Sequence, residues 1–76
     1  MNDKESIAEN LLNEFRRARG EYLEKHSFRG NSINSLRGLC SYFSGIALGL
    51  SIGNMITEEH YRHFDDIMWE IMESER

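Results

Sequence analysis

Three helices in a small all-α domain is the fold this sequence predicts, and three observations lead there. Proline is absent from all 76 residues, so no position forbids a helix interior. Two long stretches repeat apolar residues at three- and four-residue spacing, one stripe each. Between them, residues 38–57 carry no charge at all, and a helix apolar on every side belongs at the centre of a bundle. The expected helices are 2–26, 32–53 and 57–74, forming one domain over 1–76, with the second helix central and buried.

The first helix has an amphipathic pattern. Ala8, Leu11, Leu12, Phe15, Ala18 and Tyr22 fall on one stripe, and Glu9, Glu14, Arg16, Arg17, Glu21 and Glu24 on the opposite face. Asn2 followed by Glu5 has the spacing of a capping box. Gly20 weakens the helix by about 1 kcal/mol relative to alanine. Residues 27–31 read as a loop in which Gly30 and Asn31 supply turn geometry, Asn31 or Ser32 caps the next helix, and Phe28 plugs the space beneath.

Within the second helix, Leu39, Phe43, Ile46 and Leu50 fit one sector, and Tyr42, Leu48 and Ile52 a second. Ser41, Gly45, Gly49 and Gly53 recur every four residues as a ridge of minimal side chains, where another helix can approach closely. Gly53-Asn54 ends the helix as a glycine C-cap. Thr57 then caps the third helix, with Glu58 and Glu59 at its positive pole. Ile56 and Tyr61 have the spacing of a hydrophobic staple. Tyr61, Phe64, Ile67, Met68, Ile71 and Met72 form the apolar stripe, with Trp69 to one side. The turn 53–56 is short enough to make the second and third helices antiparallel neighbours.

Net charge is −4 and the pI about 5.3, against the basic surplus of a typical nucleic-acid binder. Cys40 is the single cysteine, which excludes an intramolecular disulfide; its apolar surroundings read as a buried small hydrophobe in a reducing compartment. The opening Met1-Asn2-Asp3-Lys4-Glu5 lacks a basic, then apolar, leader pattern, so a cytoplasmic location is expected. The uncharged stretch 38–56 approaches a membrane span in length, which makes a small membrane protein with one span there a second alternative. Its serines, asparagine and glycines keep it only modestly apolar, and a membrane partner is not expected.

No catalytic, cofactor or metal site is expected. Asp65 and Asp66 point about 100° apart on a helix and do not converge as an acid–base pair. His60, His63 and Asp66 share one side of the third helix, but no further ligand completes a metal site. The basic run Arg16-Arg17-Ala18-Arg19, with Arg29 and Arg37, is the alternative, a nucleic-acid-binding regulator. Against it stands local pairing such as Glu21 with Arg17, or Glu24 near Lys25, and the helix after the turn is too acidic to be positioned by phosphates.

From Glu58 to Arg76 there are seven acids and two arginines. That face is the main functional hint. It suits a basic surface on a protein partner, with Tyr61, Trp69 and Tyr22 as aromatic anchors and Asp65, Asp66 and Glu70 as the acidic contacts. The chain resembles the short, acidic, cysteine-poor helical accessory proteins of phages and prophages. The likeness is carried by its size and by the helix-joining turn Gly53-Asn54-Met55-Ile56-Thr57-Glu58-Glu59-His60-Tyr61. The resemblance implies a protein that binds and redirects a host or phage component, as an inhibitor or adaptor. Two flanking stripes cover only part of the second helix, so a homodimer through Ser41, Gly45, Gly49 and Gly53 is also expected.

Overall fold

The computed structural model describes residues 3–30 and 33–74. Helix α1 spans Asp3–Lys25, α2 Leu36–Ile52 and α3 Glu58–Ser74. Among the described residues there is no strand; a single antiparallel bridge joins Phe28 to Ile33. The Asn2–Glu5 cap and the capping roles of Asn31 and Ser32 fall on residues outside the described set.

Each helix boundary has a local cause. His26 closes α1 in the left-handed region (φ 58°), its N–H donating to the Tyr22 carbonyl at 2.6 Å. Arg29 and Gly30 follow with φ of 54° and 69°, and turn the chain so that the Phe28 N–H reaches the Ile33 carbonyl at 3.0 Å. That bridge holds Ile33 extended. Helix α2 therefore begins four residues later than its sequence pattern suggests, at Leu36. Its N-cap is Ser35, with φ −144° and ψ 152°, whose Oγ accepts from the Gly38 N–H at 2.9 Å. A Cβ on Gly38 would lie 3.0 Å from that Oγ, so glycine gives the cap its room.

The end of α2 differs from the expected glycine C-cap. Gly53 has φ −78°, which any residue adopts, and Asn54 takes the left-handed position at φ 61°. The Asn54 N–H bonds the Ser51 carbonyl at 3.1 Å and the Met55 N–H bonds the Leu50 carbonyl at 2.8 Å. This 5→2 and 6→1 pair is a Schellman motif with asparagine in place of the usual glycine. Asparagine tolerates the conformation better than other non-glycine residues.

Helix α3 opens with reciprocal capping. The His60 N–H donates to Thr57 Oγ1 at 3.0 Å, and the Thr57 N–H donates to His60 Nδ1 at 3.2 Å. This is a capping box in which an imidazole replaces the usual Glu or Gln at the third position. Ile56, just before the cap, is buried.

Lys4 Nζ donates to Asn54 Oδ1 at 3.1 Å, so the start of α1 lies against the turn after α2. The first halves of α1 and α3 face each other across a cleft lined by Ala8, Leu12, His60 and Phe64. Helices α1 and α3 are thus parallel, α2 is antiparallel to both, and each pair is in contact. Phe15 sits where the three meet. Its ring stands edge-on to Phe43 of α2 (centroids 5.4 Å apart) and to Phe64 of α3 (6.2 Å), the geometry favoured by aromatic quadrupoles. Around it Leu11 and Ala18, Leu36, Leu39, Cys40 and Ala47, and Met68 are buried. Helix α2 contributes half of this core, but only from one side. Because α1 and α3 touch each other, the three axes form a triangle rather than a wrap, and the outward sector of α2 stays uncovered.

Candidate interaction surface

The outward sector of α2 comprises Arg37, Ser41, Gly45, Leu48, Gly49 and Ile52, all exposed. Leu48 is 45% exposed and Ile52 78%, and Met55 in the following turn 48%. Tyr42 does not join them, as one reading of the pattern had it. It is half-buried, its ring 5.4 Å from Phe43 and 6.2 Å from Phe28, and the Arg29 guanidinium stacks 5.3 Å over it. At about 100° per residue Tyr42 lies roughly 120° from Leu48, on the flank facing α1.

The two glycines of this sector meet no other element among the described residues. A Cβ built on Gly45 or Gly49 has no heavy atom within 4 Å, and neither glycine has positive φ. Each costs the helix about 1 kcal/mol relative to alanine without any intramolecular contact that requires it. Gly20 on α1 is open in the same way. Gly53 is different, since its Cβ would lie 3.3 Å from the Gly49 carbonyl oxygen.

On α3 the expected contact residues divide. Tyr61, Asp65 and Trp69 follow at four-residue spacing along the flank that adjoins α2. Tyr61 and Asp65 are half-buried, and Ser44 Oγ of α2 donates to Asp65 Oδ1 at 3.3 Å. Asp65 is therefore a tie between helices as well as a charge. Trp69, one turn further on and 53% exposed, is the sole tryptophan. Asp66, Trp69 and Glu70 line one shallow depression together with Glu73 and Ser74. Tyr22 is not brought to it. Its side chain packs against the core from α1, edge-on to His26.

The antiparallel register at Ser44–Asp65 links the two surfaces. One turn along, Trp69 stands at the level of Ser41; one turn back, Tyr61 stands at the level of Leu48. The uncharged face of α2 and the aromatic edge of α3 are adjoining sides of one α2–α3 ridge. Ser44 and Met55 are the members of this surface that periodicity did not single out. Ser44 is one of several serines in a run with no polar contrast, and Met55 sits in the turn, where helical spacing gives no direction.

The remaining candidates disperse. Arg16 and Arg17 are exposed, with Arg17 3.4 Å from Glu14 rather than paired to Glu21, which holds Lys25 at 3.6 Å. Arg19 is half-buried and its Nε lies out of solvent with no hydrogen-bond partner. Arg29 is engaged over the Phe28 and Tyr42 rings, and Arg37 lies on α2. Arg17 and Arg29 line one groove between α1 and α2, but Glu14 and Glu21 line it with them, and Arg37 is exposed on the outward sector of α2. His60 Nδ1 is taken by the Thr57 cap, and among the described residues no three His, Cys, Asp or Glu side chains converge as metal ligands. The cleft between α1 and α3, about 270 Å³ with Glu5, Glu9 and His63 at its rim, is slightly smaller than the roughly 300–1,000 Å³ of ligand pockets. Among the described residues no helix is long and apolar enough to cross a membrane.

Comparison with protein-family models finds no match, and neither curated proteins nor solved structures yield one.

Proposed function

We propose that this chain is a non-enzymatic protein-interaction module, an inhibitor or adaptor that docks on a basic surface of a protein partner through the outward edge of α3. The observation that carries the reading is Trp69. A half-exposed tryptophan flanked by Asp66, Glu70 and Glu73 in one depression combines the residue type that dominates contact energy with a rim that repels acidic surfaces and attracts basic ones. Tyr61 and Asp65 support the edge from the α2 side. Tyr22, packed on α1, has only a structural part. The reading places the chain in the cytoplasm, working as a homodimer, with neither nucleic acid nor membrane as its partner. The general likeness to phage and prophage accessory proteins points the same way.

The test is capture on immobilised full-length chain at about 0.1 M ionic strength, where the Debye length is about 10 Å. Asp66→Lys with Glu70→Lys reverses the rim without touching the Ser44–Asp65 bond, and Trp69→Ala removes the anchor. A protein retained by the parent chain and lost with either variant is the expected result. Equal retention by all three chains would refute the α3 edge. Retardation of duplex or single-stranded probes at low salt would instead favour the nucleic-acid alternative.

A further inference from the structure

We infer that the outward face of α2 is a two-fold self-pairing surface, on which α2 of a second copy lies antiparallel and crosses near Gly45. This deepens the self-association in the reading above and uses a different face from the partner-binding edge.

The occupant follows from how the face is built. Its first half is small, Ser41 and Gly45, and its second half carries the large exposed side chains Leu48 and Ile52, with Met55 beyond. A parallel copy would set large residues against large ones. An antiparallel copy centred on Gly45 sets Leu48 of each chain against the Ser41–Gly45 notch of the other, twice over, and brings Ile52 to the level of Gly38, beside the partner's Arg37. A surface complementary to itself under a two-fold is what an isologous dimer requires. Helix axes approach closely only where side chains are minimal, and Gly45 and Gly49 face open space in the single chain.

Charge agrees with the same orientation. Arg37 is the one charged residue of the face and stands at its start. The other end is the C-terminus of α2, whose last turn contains no basic residue. Glu58 and Glu59 follow just after the turn. An antiparallel copy brings each Arg37 to the level of Gly53 on its partner, at the negative pole of that helix. Lys4 reaches the same turn from α1 and holds the Asn54 side chain, while the Schellman bonds occupy the Leu50 and Ser51 carbonyls.

Three measurements on the full chain test the inference. Light scattering at micromolar concentration is expected to give twice 8.9 kDa. Gly45→Cys, placed on the axis, is expected to form an inter-subunit disulfide under mild oxidant far faster than Gly20→Cys, which lies on an open helix surface of α1. Cys40 is fully buried and does not compete. Ile52→Lys is expected to return the mass to one chain with its helical circular dichroism unchanged, because Ile52 is exposed, a lysine suits the C-terminal end of α2, and in the pair it would face the partner's Arg37. A mass of one chain for the parent would overturn the inference, as would a dimer in which Gly45→Cys cross-links no faster than Gly20→Cys. Asp66→Lys with Glu70→Lys is expected to leave the mass unaltered, so failure of the α3 reading and failure of this pairing give separate signatures.

Discussion

Helices α2 and α3 are equally long, seventeen residues each, and share one core, yet their outward sides are opposites. The exposed positions of α3 include Glu58, Glu59, Arg62, His63, Asp66, Glu70 and Glu73. Those of α2 are Ser41, Gly45, Leu48, Gly49 and Ile52, with Arg37 at one end. The α3 pattern is that of a helix facing water, with charge opposite an apolar stripe. The α2 pattern has no such division, because past Arg37 its outer side offers water no charge, and two of its positions are glycines. The difference teaches that exposure in a single chain does not mean the same thing on both helices. On α3 the exposed side is charged apart from the Trp69 edge; on α2 it is mostly apolar or glycine, and the pairing inferred above would cover it.

The largest expected effect comes from what the two helices share. Phe15 contacts Phe43 of α2 and Phe64 of α3, and truncating such a buried ring costs about 3–5 kcal/mol. A chain of this size has a total stability of roughly 4–11 kcal/mol, taking about 0.05–0.15 kcal/mol per residue. Phe15→Ala is therefore expected to abolish the cooperative thermal transition or lower its midpoint by well over 10 °C, since each kcal/mol is worth about 4–8 °C in a domain of this size. If the midpoint held within a few degrees, the common core beneath the two contrasting faces would be wrongly placed.

Second in size is the glycine contrast. Gly20→Ala on α1 is expected to raise the melting midpoint by about 4–8 °C, since the substitution is worth about 1 kcal/mol and nothing crowds the new methyl. Gly45→Ala with Gly49→Ala should raise it by twice that if α2 faces only water. If a second helix covers the face, the gain in propensity is offset by lost approach. The expected outcome of thermal melts at several concentrations is no net gain for the pair, with a weaker dependence of the midpoint on concentration. A full double gain would put the outward faces of α2 and α3 on the same footing.

How much of this was legible in the residues depended on whether the cause was periodic. The three helices, the α3 stripe and the Thr57 cap followed from spacing and residue type, and so did the burial of Cys40. The start of α2 did not, because the apolar spacing begins at Ile33, whereas Asn34 and Ser35 favour caps and turns and a bridge between Phe28 and Ile33 holds Ile33 extended. Asn54 rather than Gly53 took the left-handed position, since two adjacent residues could both serve and only the register of the two closing hydrogen bonds decides between them. Asp65 read as one of the acidic contacts to a partner. Its bond to Ser44 needs the angle between two helices, and no spacing within α3 encodes that. Likewise, Leu48 and Ile52 were visible as surplus apolar residues, and the separation of roughly 120° between Tyr42 and Leu48 lay in the spacing, whereas the packing of Phe28 and Arg29 on Tyr42 did not.

His60 gives a third, smaller test that belongs to α3 alone. Its Nδ1 accepts from the Thr57 N–H, and an N-terminal capping contact is worth about 0.5–2 kcal/mol. His60→Ala is expected to lower the midpoint by several degrees and His60→Gln to recover part of that loss, because a glutamine oxygen can reach back in the same way. Neither variant should alter the mass of the particle, as the cap lies away from the outward sector of α2. A change in mass with His60→Gln would break the separation between the two faces.

The smallest expected effect concerns the surface charge itself. Arg62 Nη2 donates to Glu58 Oε1 at 2.6 Å, four residues apart with both side chains exposed. Short as the contact is, an exposed pair at this spacing contributes only about 0.3–0.5 kcal/mol, because water screens it and two long side chains lose freedom to make it. In addition, Glu58 remains favourably placed at the positive pole of α3 when Arg62 is gone. Arg62→Ala is thus expected to shift the midpoint by no more than about 4 °C at low salt, with the difference from the parent shrinking toward zero near 1 M salt, where the Debye length is about 3 Å. The corresponding change on α2, Arg37→Ala, has no ion pair among the described residues to lose. If Arg37→Ala lowered stability more than Arg62→Ala, and did so only at concentrations where two chains associate, the charge on the uncharged helix would be acting across subunits. If the two substitutions behaved alike at every concentration, Arg37 would be one more solvated cation, and the antiparallel pairing would lose its electrostatic support.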